Sequence, residues 1–209
     1  HCKVGGLVYH LRFENQGGAP LGGFAVQVNK NRLGITNAEP LSVNGGAPIQ
    51  PGSSSYVALK LASSPDKVQD SPTLNLQVAI KNTAGVHYFQ HTIPITDCLL
   101  PGNPPLEPSD YPSRWGSIPA ASQAVAQLPS ATTSATVSEQ LAAAGVSVLH
   151  KKRIESSGAD ALYCCARVVN GTVILCEVQV LPGGGRCAVR SNSLATSQMM
   201  TSALQRILS

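Results

Sequence analysis

The chain has 209 residues, 43% of them hydrophobic, with only 12% charged residues and a net charge of +4. This is enough apolar material for one or two domains. It excludes a nucleic-acid footprint, which needs a dense basic stripe interleaved with aromatics; here the basic residues are scattered except at Lys151-Lys152-Arg153. It also excludes a helical membrane anchor within these residues, because no apolar run approaches spanning length.

In chain order, His1-Cys2-Lys3-Val4-Gly5 does not read as a signal peptide and reads as a cut from a longer protein. The first hundred residues then predict strands only. Leu7, Tyr9, Leu11 and Phe13 alternate with His10, Arg12 and Glu14, and Phe24, Val26 and Val28 alternate with Ala25, Gln27 and Asn29. Val57, Leu59 and Leu61 follow a turn at Pro51-Gly52, and Leu74, Leu76, Val78 and Ile80 alternate with Asn75, Gln77 and Ala79. Short strands with regular turn signals predict an immunoglobulin-like antiparallel β-sandwich over 1–100.

The last strand of that half, Val86 to Ile93, carries the first candidate site. Phe89 and Ile93 share the expected core face, which leaves Val86 and Tyr88 beside Gln90 and Thr92 on the other face. An aromatic and a β-branched residue on a solvent face predict an exposed binding patch. By residue type alone, Tyr88 fits equally well as a strand residue covered by a loop.

Residues 101–113 hold five prolines, from Pro101 to Pro112, and predict a junction between subdomains. The second half, 114–209, predicts a small α+β platform, a sheet backed by helices. A helix opens at Thr136 or Ser138, runs through Leu141-Ala144 and closes at Gly145. Strands follow at 146–150, 162–168 and 172–180. An amphipathic helix covers about 194–208 with Leu194, Met199, Leu204, Ile207 and Leu208 on its apolar side.

The turn at Asn170-Gly171 decides which residues share a face. A two-residue turn pairs Tyr163 with Val178; a three-residue loop with Gly171 in a bulge pairs Tyr163 with Glu177. Only the bulged register collects Leu162, Cys164, Ala166, Val168, Thr172, Ile174, Cys176 and Val178 on one apolar face. A one-residue slip would exchange the faces, so the pattern selects the bulge. The opposite face then carries Tyr163, Cys165, Arg167, Val173, Leu175, Glu177 and Gln179, a mixed surface with exposed aliphatics.

No catalytic constellation emerges. There is no Gly-x-Ser-x-Gly elbow, no Cys–His context and no phosphate loop, since Pro182-Gly183-Gly184-Gly185-Arg186 reads as a hairpin turn. The five histidines form no ligand cluster; His87 and His91, four apart on a strand, lie roughly 13 Å apart. No metal or cofactor is expected. The six cysteines show no zinc spacing, and most sit in apolar strand-like runs, which predicts buried free thiols of a reducing compartment. The rival reading is a secreted, disulfide-stabilised sandwich that binds carbohydrate or acts in adhesion.

Several segments together resemble the C-terminal appendage ("ear") of the beta-adaptins, the large beta subunits of clathrin adaptor complexes. They are Phe24 to Asn31, Leu74 to Asn82 with Val86-His87-Tyr88-Phe89, Arg114-Trp115-Gly116-Ser117-Ile118-Pro119, and Leu162-Tyr163 through Asn170-Gly171 to Cys176-Glu177. Their order and spacing are more specific than any one string. The resemblance implies a cytoplasmic, non-enzymatic module at clathrin-coated membranes. It would hold clathrin and peptide motifs of accessory proteins during endocytosis and vesicle transport. It would meet other adaptor subunits through the rest of a longer chain, and membranes only indirectly.

The resemblance also implies two peptide sites. The sandwich site falls on Tyr88, with Val86 and Lys81 beside it. The platform site falls on Trp115, Tyr163 and Glu177, with basic neighbours at Arg153 and Arg190. Where the family has a second acid at the platform, this sequence has Gln123. By residue type alone, Trp115 fits domain packing, Tyr163 and Glu177 an ordinary cross-strand pair, and Lys81 and Arg153 surface charge.

Overall fold

The computed structural model describes residues 7–100, 102–128, 133–181 and 183–209. They form two compact units, divided between Ile93 and Pro94.

The first unit is built from two three-stranded antiparallel sheets. One joins β1 (Val8–Glu14), β4 (Ser54–Ser63) and β3 (Ile35–Asn37); the other joins β2 (Ala25–Val28), β5 (Asn75–Asn82) and β6 (Gly85–Thr92). Side chains alternate across each strand, so Leu7, Tyr9, Leu59 and Leu61 from one sheet and Val28, Leu76, Val78 and Ile80 from the other enter a single core. Ring contacts lock the two sheets face to face: Phe13 against Phe24 at 5.0 Å, and Tyr9 against His91 at 5.5 Å. Two buried asparagines take the place of further ladder bonds. Asn31 donates to the carbonyls of Asn29 and Ile35 and accepts from the Ile35 amide. Asn15 donates to the carbonyls of Ala19 and Ile49. Gly34 is obligatory here, with φ +65° and the Ser64 carbonyl 2.2 Å from where a Cβ would stand.

One expectation fails in this unit. Phe89 lies on the core-facing side, opposite Val78, yet remains 37% exposed. β6 is the edge strand of its sheet, and all its residues are at least partly open to solvent. The short strand β3 has too little alternation to be visible in the sequence.

The second unit begins before the expected boundary at residue 100. Ile95, Cys98 and Leu99 are buried, and the Leu100 amide donates to the Arg167 carbonyl at 2.7 Å. Residues 94–100 therefore act as a strap on the platform. The proline-rich segment also belongs to it: Leu106 packs against the cluster of Tyr111, Ile118, Cys165 and Leu175, and Pro108 starts a 3-10 turn that runs into the first helix.

The platform sheet has five antiparallel strands in the order β7-β11-β10-β9-β8. These are β7 (Gln123–Leu128), β8 (Ser147–Ile154), β9 (Ala159–Arg167), β10 (Val173–Leu181) and β11 (Gly184–Arg190). Helix α2 (Ser134–Ala143) lies against β8 and β9, and helix α3 (Leu194–Ile207) against β7 and β11. The chain enters α2 earlier than expected: Thr133 is the cap, its hydroxyl accepting from the Thr136 amide. In α3 the buried apolar side chains are Met200, Ala203 and Leu204, beside buried Thr196, Ser197 and Thr201, whereas Leu194 stays exposed and Met199 half-buried.

The bulged register is present. Tyr163 sits opposite Glu177, the Val168 amide donates to the Thr172 carbonyl at 2.9 Å, and Gly171 has φ +84°. Leu162, Cys164, Ala166, Val168, Ile174, Cys176 and Val178 are all buried on one face. The other face differs from expectation. Cys165 and Leu175 are fully buried, because helix α1 (Tyr111–Ser117) covers them with Tyr111 and Ile118. Leu175, which looked exposed in the sequence, forms with Cys165 the floor of a second, smaller core. Cys98, Cys164, Cys165, Cys176 and Cys187 are free and buried; Cys2 and Pro182 lie outside the described residues.

Candidate functional site

The platform site grows from α1. Pro112 sits in its first turn, where a missing amide costs no helical bond. Tyr111 and Trp115 are four apart and so lie on one face, rings stacked at 5.7 Å. Tyr111 is the anchor: it is buried, and its hydroxyl donates to the Cys176 carbonyl at 3.0 Å. Burial drives its phenol pKa far above the ordinary value. Tyr163 rises from the sheet to meet Tyr111 edge-on at 5.3 Å, and His150 stacks on the other side of Tyr163 at 6.2 Å. A cavity of about 330 Å³ opens between them, lined by Pro108, Tyr111, Pro112, Trp115, Tyr163 and Glu177, with His150 at one side.

Glu177 is the acid of this cavity. Gln179 donates to its Oε1 at 2.6 Å, and no cation pairs with it among the described residues. The Tyr163 phenol is raised by partial burial and then by the nearby Glu177 charge. The Tyr163 phenol therefore keeps its proton at neutral pH and is a hydrogen-bond donor.

Arg190 and Gln123 support the site without lining the cavity. The Arg190 guanidinium lies 4.6 Å from the centre of the Trp115 ring. Its Nη1 donates to the Trp115 carbonyl at 2.8 Å and the Ile118 carbonyl at 3.4 Å, and its Nε donates to Gln123 Oε1 at 2.8 Å. This clamp holds the end of α1 on the sheet. Gln123 is already engaged by Arg190, so it is not a vacant anchor.

Arg153 is not brought to the pocket. It pairs opposite Asp160 on the face away from Tyr163, and its Nη1 binds the Asp160 carboxylate at 3.1 Å. Lys151 and Ser134 complete that cluster on the α2 side. A strand exposes alternate residues to opposite faces, so Lys152, not Arg153, shares the face of His150 and Tyr163. Sequence reasoning missed Tyr111, His150, Pro108 and Pro112. The i, i+4 spacing of Tyr111 and Trp115 was a usable signal; His150 was not, because its neighbour is set by strand pairing.

On the sandwich, Tyr88 is 79% and Val86 47% exposed on the outer face of β6, with Lys81 directly opposite Val86. The three do share one face. The concavity beside Tyr88 is walled by Asn29, Gln77 and Gln90, and Val86 and Lys81 lie outside it.

The chain is thus an all-β unit followed by an α+β platform that bears an aromatic cavity. A family model described as "Beta2-adaptin appendage, C-terminal sub-domain" matches residues 102–208, and the chain belongs to this family. It is similar to AP-1 complex subunit beta-1 of Homo sapiens, 28% identical over 186 residues, covering 88% of this chain and 19% of that protein. AP-1 complex subunit beta-1 of Rattus norvegicus is 29% identical over 184 residues, again covering 19% of its length. The chain thus spans about a fifth of the length of these relatives.

Proposed function

We propose that this appendage is a non-enzymatic docking module of a clathrin adaptor. It captures short peptide motifs of accessory proteins and of clathrin during coat assembly. It would act in the cytoplasm at coated membranes, joined to other adaptor subunits through a longer chain. The observation that carries the reading is the open aromatic cavity between Trp115 and Tyr163, with unpaired Glu177 on its wall. An amphipathic helix of a partner would place an aromatic side chain there and a basic residue on Glu177, a helix-in-groove mode. Burying that aromatic contributes about 1.5–3 kcal/mol. A half-exposed ion pair contributes about 0–1 kcal/mol. Single motifs then bind weakly, and linked motifs supply avidity. The exposed Tyr88 face would take a second class of peptide.

Titration calorimetry with an amphipathic peptide carrying one Phe and a terminal Arg tests this. Trp115→Ala or Tyr163→Ala should remove detectable binding, Glu177→Gln should weaken it a few-fold, and Tyr88→Ala should leave it unchanged. Equal damage from Glu177→Gln and Trp115→Ala would overturn the aromatic ranking. Binding insensitive to all three platform variants would overturn the site.

A further inference from the structure

Helix α1 has a second flank. Its Tyr111, Pro112 and Trp115 serve the aromatic cavity, while Arg114 and Ser117 line a different one of about 480 Å³. The walls of this second cavity include Asn170, Thr172 and Val173 from the bulged β9–β10 loop and Asn192 after β11. Arg114, Asn170 and Asn192 are donors there with free capacity. The Arg114 and Asn192 side chains have no partner among the described residues. Asn170 uses its Oδ1 to accept from the Thr172 amide at 3.1 Å, and its NH₂ group has no partner among the described residues. Ser117 donates to the Arg114 carbonyl at 2.8 Å and keeps its oxygen lone pairs. Among the described residues, no Asp or Glu lines the cavity.

A wall of one guanidinium and neutral amides selects an acceptor-rich ligand with a single oxyanion. Nucleic acid or an anionic membrane surface would call for several clustered cations, and only Arg114 lines this wall. The volume lies in the range of sites that hold more than a bare ion, and Val173 and Ile118 offer apolar contact beside the polar groups. We propose that this cavity receives an acidic side chain of a bound peptide, a carboxylate or a phosphate, with Arg114 as its cation and Asn170 and Asn192 as neutral donors. The site stands apart from the aromatic cavity and does not require it.

The test uses three short peptides of one neutral sequence whose central residue is Glu, phosphoserine or Gln. They are titrated into the isotope-labelled 209-residue chain and followed by amide shifts. The Gly171 amide and the side-chain NH₂ groups of Asn170 and Asn192 should move with a charged peptide and not with the Gln peptide. Arg114→Gln should weaken the response about fivefold or more, and the Tyr163 and Glu177 amides at the aromatic cavity should stay unshifted. A response to phosphoserine alone assigns a phosphate ligand; a response to both shows that a carboxylate suffices. No shift with either charged peptide, or a shift unchanged in Arg114→Gln, overturns the proposal. Shifts of the Tyr163 and Glu177 amides with the charged peptides also overturn it, by placing the peptide in the aromatic cavity.

Discussion

Arg190 holds the only tryptophan of the chain in place, and removing it should loosen the aromatic cavity. The side chain makes two hydrogen bonds at 2.8 Å, a longer one at 3.4 Å, and a stacking contact at 4.6 Å. A hydrogen bond from a charged group contributes about 1.5–3 kcal/mol when buried, and an exposed cation–π contact about 0.5–1 kcal/mol. Arg190 is half-buried, so water replaces part of each bond in Arg190→Ala. A net loss of about 2 kcal/mol is expected. Urea unfolding measures it, and the emission of Trp115 reports the site directly. Arg186→Ala is the control: it removes an exposed Arg from the same strand, and such surface changes stay within about 0.5 kcal/mol. The Arg190→Ala emission should shift to the red in the folded state, and affinity for an aromatic peptide should fall. If Arg190→Ala costs no more than Arg186→Ala and leaves the emission unchanged, the clamp does not hold Trp115.

Gly171→Ala meets no side chain within 4 Å but must adopt φ +84°, so calorimetric unfolding should show a loss of about 1–2 kcal/mol from backbone strain alone. Asp160 is held at a pKa of about 2 by hydrogen bonds from Ser134, then Lys151 and Arg153, against an ordinary value of 3.8. Its folded pKa is depressed, so its stabilisation is complete above about pH 4 and lost as pH falls toward 2. The melting-temperature gap between the natural chain and Asp160→Asn should close across that window. Burial raises the thiols of Cys164, Cys176 and Cys187, and pushes Cys165 up to about 11. With Cys98 they should resist a thiol reagent at pH 8 in the native chain and all react after denaturation; persistent unreactivity would mean disulfides.

Much of the platform was legible because a bulged hairpin leaves a strict mark. Alternation from Leu162 to Val178 allows one register only, since a slip would bury Glu177 and expose Ile174, and the pairing of Tyr163 with Glu177 follows. The exposed Tyr88 face was legible for the same reason: period-two patterning orients a side chain without knowledge of its neighbours. What covers a face is another matter. Leu175 read as exposed, and it is buried, together with Cys165, only because a seven-residue helix from a proline-rich segment folds onto them. Nothing local announces where such a helix will land. The fate of Arg153 turned on the same limit. Its charge marks a surface residue, but the pairing of β8 with β9, which includes an irregularity between Val148 and His150, sends it to Asp160 and brings His150 to Tyr163. Local sequence therefore determined the strands, the bulge and the aromatic residues that can form a site. Tertiary structure alone decided which of them meet, because a long-range contact depends on strand order and on the packing of distant elements, and neither is written in the spacing of adjacent residues.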